Sequence, residues 1–154
     1  IDKMKANLVR FFLIISSYLI PTDFFSRRYP ISWKGIGIWN KKILLLKDEN
    51  GIWDLPGGKI KRKELPEKCL KREIKEETNL NVSVENIEEA LVKEIRTWLN
   101  VFIIIYKCQL ISDPKNLKIS EEHFDLGFFS ISDIDNMKLH DEYIGIIKRL
   151  IGEE

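Results

Sequence analysis

The chain has 154 residues, 44% hydrophobic and 32% charged, enough for one domain with a sizeable core. A formal net charge of +1 excludes a global attraction to nucleic acid or acidic membranes, so neither is an expected partner. Cys69, Cys108 and two histidines form neither a disulfide framework nor a zinc-ligand pattern, which leaves two reduced thiols in a cytoplasmic protein.

In chain order, Lys3, Lys5 and Arg10 before FFLIISSYLI imitate the charged and apolar parts of a secretory signal. The apolar run is too short to span a bilayer, and no small-residue cleavage pattern follows it. Leu8, Phe11, Phe12, Ile15 and Leu19 recur at helical spacing. The spacing predicts an amphipathic helix over 5–20, ended by Pro21 and packed on the domain; a targeting or anchoring segment is the alternative. Residues 1–30 then form an N-terminal helix and loop, and 31–154 the main domain. The loop holds Arg28 beside Phe24, Phe25 and Tyr29. Arg28 is a candidate for holding a phosphate, against the plainer reading of a surface loop with aromatics tucked under it.

Gly35–Trp39 and Lys42–Lys47 read as strands joined by a tight turn at Asn40-Lys41. A second turn at Asp48–Gly51 leads to Trp53, which either stacks on a ligand or belongs to the core. Leu55-Pro56-Gly57-Gly58 follows, and paired glycines let a ligand approach the main chain. Lys59 next to them is a mobile point charge suited to phosphate oxygens. Pro66 fits the first position of a helix, which puts Leu65 at the N-cap, a poor capping residue that costs about 1 kcal/mol.

That helix has three stripes. Lys68, Lys71 and Lys75 face solvent, and Leu70, Ile74 and Thr78 face a core. Glu73, Glu76 and Glu77 converge on one arc, because spacings of three and four share a face. Like charges so placed repel, and a divalent cation among them reverses the effect; hard cations such as Mg²⁺ take oxygen ligands together with substrate phosphates. Beyond the helix, Val82–Ile95 and Val101–Leu110 read as strands, the second buried on both faces. Ser112–Ser120 is a polar loop, Leu126–Ile131 a short strand, Ser132–His140 irregular, and Asp141–Ile151 a closing helix. Strands mixed with helices suggest a layered α/β/α domain with no internal repeat.

No Ser, Cys or His grouping resembles a covalent nucleophile system. The acidic helix behind a Gly turn fits metal-assisted hydrolysis instead. Gly58, Glu64, Arg72-Glu73-Ile74, Glu76-Glu77 and Asn79-Leu80 resemble the Nudix box, Gly-x5-Glu-x7-Arg-Glu-U-x-Glu-Glu-x-Gly-U with U aliphatic. Every position matches except the last glycine, here Asn79, the next best residue for a left-handed helix end.

The resemblance implies a Nudix-type α/β/α sandwich with a mixed sheet, to which the N-terminal helix is an addition. It also implies hydrolysis of a small-molecule nucleoside diphosphate derivative with Mg²⁺ or Mn²⁺, by a monomer or homodimer. By matching position, Glu73, Glu76 and Glu77 would hold metal together with the Gly57 carbonyl. Arg72 would orient the carboxylates, Glu64 would pair with Arg72, and Gly58 and Lys59 would contact phosphate. Glu121 and Glu122 stand where the family often places a general base, with two solvated glutamates as the alternative. Trp53–Ile60, WDLPGGKI, is similar to members acting on nucleoside triphosphates, oxidised ones included. ADP-ribose or nucleotide-sugar hydrolysis, or a nucleotide-binding module without turnover, are the other readings.

Overall fold

The computed structural model describes residues 29–96 and 99–152, and the side chains of all of these except 95, 96 and 99. The expected helix over 5–20, Arg28 and Trp98 lie outside the described residues. Strands β1 (Ile31–Trp39), β2 (Lys42–Lys47), β3 (Trp53–Asp54) and β4 (Gly57–Gly58) lead into helix α1 (Pro66–Thr78). β5 (Val82–Arg96), β6 (Leu99–Leu110) and β7 (Asp125–Phe129) follow, then α2 (Ile131–Ile134) and α3 (Asp141–Gly152).

The strands form one mixed sheet with the order β3-β2-β1-β6-β5. β1 and β6 run parallel from Ile31↔Phe102 to Ile38↔Gln109, and the other pairings are antiparallel. β1 meets β2 only at the Asn40-Lys41 turn, whose two residues have positive φ of 47° and 56°. This is the geometry a two-residue hairpin requires. Before that point β1 turns away from β2 and takes β4 as its partner at Trp33 and Lys34, while β2 pairs with β7 and β3. The split leaves the Gly turn between two parts of the sheet.

Alternation along the strands sends side chains to two cores. One, with Ile36, Ile38, Val101, Ile103 and Ile105, packs under Tyr143, Ile147 and Leu150 of α3. The other, with Trp33, Tyr106 and Cys108, packs under Cys69, Leu70 and Ile74 of α1. The α1 face of β1 carries Gly35, where an added Cβ would sit 2.9 Å from Ile74 Cδ1 and 3.2 Å from Cys108 Sγ. The glycine brings α1 close to the sheet, which sets the height of its carboxylates above the turn.

The bounds of β1 and β7 differ from the sequence reading. β1 begins at Ile31 rather than Gly35, because its first four residues pair with β6 and β4. β7 ends at Phe129, and Ile131 opens α2, capped reciprocally by Ser130 and Asp133. α3 buries Tyr143, Ile146, Ile147, Leu150 and Ile151 and leaves Ile144 partly buried.

Candidate active site

α1 begins as its sequence dictates. Pro66 opens the first turn, and Leu65 stands at the N-cap with extended φ/ψ of −81°/147° and no side-chain cap bond. It ends on Asn79 in the left-handed region at φ 60°, with the Asn79 N–H donating to the Lys75 carbonyl at 3.0 Å. Asn79 thus takes the conformation that glycine would take there.

The preceding turn is fitted to the helix atom by atom. Gly57 has φ +144°, and a Cβ there would run into the Trp33 carbonyl. Its N–H donates to Glu77 Oε2 at 2.9 Å. At Gly58 a Cβ would lie 2.5 Å from the carboxyl carbon of Glu73. Gly58 therefore leaves the space in which the Glu73 carboxylate sits, and Gly57 binds the Glu77 carboxylate through its N–H.

Arg72 gathers the rest. Its Nε and Nη2 donate to the two oxygens of Glu64 at 2.8 and 2.9 Å, a forked pair that suits guanidinium and carboxylate. Its Nη1 donates to Glu73 Oε1 at 2.7 Å and to Glu76 Oε2 at 3.0 Å. The Lys61 N–H also donates to Glu64 at 2.8 Å. These bonds, Arg72 foremost, hold the Glu64 carboxyl down at about 2. Glu64 fastens the loop to the helix, and Arg72 fans the acidic face.

Glu77 is the exception on that face. Only 13% of its side chain is exposed, and burial pushes its carboxyl up to about 7 against the pull of the Lys34 charge and the Gly57 N–H. A buried carboxylate with too little positive charge around it is what a cation would complete. His123 Nε2 lies 3.8 Å from Glu77 Oε1, and its Nδ1 faces Ser120 Oγ at 3.0 Å. Burial keeps the imidazole below its usual pKa, hence neutral at pH 7.

Glu73, Glu76 and Glu77 line a cleft of about 310 Å³ together with Ser120, Glu121 and Glu122. The expected later-loop carboxylates are thus brought to the helix. Among the described residues no three acidic, imidazole or thiol side chains close around one point. Arg72 holds Glu73 and Glu76, and Gly57 holds Glu77. The donor set is nonetheless all carboxylate oxygen, and Mg²⁺ keeps several waters and takes only one or two carboxylates plus phosphate, so the residues fit such an ion.

A larger cavity of about 740 Å³ lies on the α3 face, lined by Lys34, Asp54, Lys93, His140, Glu142 and Tyr143 among others. Lys34 Nζ donates to Asp54 Oδ2 and to the Leu55 carbonyl, both at 2.9 Å. Both charges act on Glu77 from the lining of this cavity, Lys34 favouring its ionised form and Asp54 opposing it. Sequence reasoning passed over both, although a lysine inside the apolar strand ISWKGIGIW and an aspartate between Trp53 and Leu55 were visible signals.

Trp53, a candidate for ligand stacking, is 9% exposed and packs edge-on against Phe129 at 4.6 Å, which places it in the core. Lys59 is exposed, and its carbonyl accepts from Arg72 Nη2 at 3.4 Å. Lys61 Nζ reaches Glu76 at 3.7 Å.

The NUDIX domain family matches residues 28–150. A MutT-like protein of Streptomyces ambofaciens is 28% identical over 67 residues, 44% of this chain and 42% of that protein, so the match spans less than half of that curated relative. The crystal structure of the MutT protein from Methanosarcina mazei Go1 superimposes with a TM-score of 0.68 at 27% identity, covering 83% of this chain and 96% of that one. An ADP-ribose pyrophosphatase from Streptococcus suis 89-1591 gives a TM-score of 0.65 at 21% identity over 80% and 92% of the two chains, a likeness of fold alone.

Proposed function

This chain belongs to the Nudix family, and from that premise we propose that it is a Mg²⁺- or Mn²⁺-dependent pyrophosphohydrolase of nucleoside triphosphates. The observation that carries the reading is the cleft in which Glu73, Glu76 and Glu77 meet Glu121 and Glu122, with a second, larger cavity on the α3 face of the sheet. Five carboxylates around one small cleft repel a polyphosphate unless their charge is neutralised, which fits a cation-dependent site.

Glu73, Glu76 and Glu77 would hold the ions, with the Gly57 carbonyl as a further oxygen. A cation bound there would supply neutralisation of the phosphate oxygens and a water of lowered pKa. The chain's own groups do the rest. Arg72 keeps Glu73 and Glu76 splayed, and Glu64 keeps Arg72 in place. The Gly57 N–H fixes one oxygen of Glu77 and leaves the other turned toward His123. Glu121 or Glu122 takes the proton of the attacking water from across the cleft, and Lys59 meets the outgoing phosphate from the solvent side. The nucleoside lies in the larger cavity, against Lys34, Asp54 and His140.

Support for a triphosphate over a nucleotide sugar comes from the WDLPGGKI turn, which resembles that of family members acting on nucleoside triphosphates. The protein works on small molecules, in the cytoplasm, as a monomer or homodimer. Among the described residues no helix is long and apolar enough to cross a membrane. The test is product analysis with nucleoside triphosphates, oxidised nucleotides, ADP-ribose and nucleotide sugars at saturating Mg²⁺. Pyrophosphate and a nucleoside monophosphate from a triphosphate is the expected result. Turnover of ADP-ribose or a sugar nucleotide alone would replace the substrate, and nucleotide binding without turnover would replace the enzyme by a binding module.

A further inference from the structure

The α1 face of the sheet is larger than α1. The helix covers Tyr106, Cys108 and Val82, all buried beneath it. Toward the other end, Ile31, Phe102 and Val92 lie side by side on β1, β6 and β5 in one register row. Val101 and Ile103 point into the α3 core, so Phe102 between them points to the α1 side, as Ile31 does two residues before Trp33. Ile31 is 43% and Val92 49% exposed, and Ile87, opposite Tyr106, is 57% exposed. On the same face the buried Trp33 indole N–H has no acceptor among the described residues. A contiguous apolar strip on a sheet face, bordered by an unsatisfied buried donor, is surface that needs a cover.

We propose that residues 5–20 of this same chain are that cover, with Leu8, Phe11, Phe12, Ile15 and Leu19 set against Ile31, Phe102 and Val92. Two observations choose this occupant. The NUDIX match begins at residue 28, so the apolar N-terminal segment is an addition to the family domain and needs a place on it. The chain also enters the domain at Ile31, inside the strip itself. Pro21 to Pro30 spans up to about 33 Å when extended, whereas three strands at about 4.8 Å spacing are only about 10 Å across. As a helix, residues 5–20 would be about 24 Å long, the length of about seven strand residues. The segment therefore reaches the strip and is long enough to cross all three of its strands.

Thiol labelling in the full chain tests the proposal. Cys69 and Cys108 are buried with their thiols pushed up to about 11 and about 12, so the native background is silent to maleimide. Val92→Cys reports on the strip. Ile111→Cys, at a residue 67% exposed beyond the far end of β6, is the control. The expected result is labelling at Val92→Cys at least about tenfold slower than at Ile111→Cys, with the difference abolished when Phe12→Asp is added to the full chain. Equal rates in the otherwise unchanged chain overturn the proposal without any N-terminal variant. Protection that survives Phe12→Asp and grows with protein concentration assigns the strip to a second copy. Protection appearing only with anionic phospholipid vesicles assigns it to a membrane surface. Either result also overturns it.

Discussion

Glu77→Gln separates the electrostatics of the site from its chemistry. Lifting a carboxyl from 4.5 to about 7 makes ionisation of Glu77 less favourable in the folded protein than in the unfolded chain by about 3 kcal/mol. The sign follows from proton binding. Below pH 4.5 Glu77 is protonated in both states, and its contribution to stability is fully present. As pH rises the unfolded chain loses this proton first, so stability falls until the folded carboxyl has also ionised near pH 7. Above that the deficit is constant. Gln carries no charge and its amide oxygen still accepts from the Gly57 N–H. Metal-free Glu77→Gln is therefore expected to match the native protein near pH 4 and exceed it by about 3 kcal/mol at pH 8, roughly 6–12 °C in melting temperature for a chain of this size. Denaturant unfolding in chelator across pH 4–8 measures the difference between the two proteins, in which the other titrating groups cancel. Adding Mg²⁺ should then stabilise the native protein at pH 8 and leave the variant little changed. A difference that is flat across this pH window would refute the assignment of Glu77 as a carboxylate held for a cation.

Two further substitutions test the frame. Leu65→Ser supplies the cap that α1 lacks, and should raise stability by about 0.5–1 kcal/mol in urea unfolding with turnover unchanged, since the position is 60% exposed and its backbone is already extended. Gly58→Ala places a methyl where the Glu73 carboxyl sits, so activity should fall at least about tenfold while circular dichroism keeps the native spectrum.

The fold was legible because local and motif signals agree. The Gly pair, Pro66, the acidic arc and Asn79 lie within one short stretch, and each has a local conformational reason that the structure bears out. The parallel pairing of β1 with β6 has no local cause. It joins strands more than sixty residues apart in sequence and depends on two cores closing at once. The helix α2 escaped notice because it has only four residues, although Ser130 and Asp133 carried its capping signature. At the site, α1 announced its own carboxylates through their spacing, but the partners that set their character come from elsewhere. His123 reaches Glu77 from a loop, and Lys34 and Asp54 act on it from β1 and β3. Trp53 was ambiguous for a related reason. An indole beside a Gly turn serves stacking or packing equally well until its T-shaped contact with Phe129 is known.

The most direct measurement is turnover of a nucleoside triphosphate at saturating Mg²⁺ by the native protein, by Glu77→Gln and by Glu67→Gln. Glu67 lies in the first turn of the same helix, away from the cleft. Glu77→Gln should lose activity at least about a hundredfold with its fold intact, while Glu67→Gln keeps nearly all of it, and chelator should silence all three proteins. Equal rates in the two variants, or full activity of metal-stripped protein, would contradict the account.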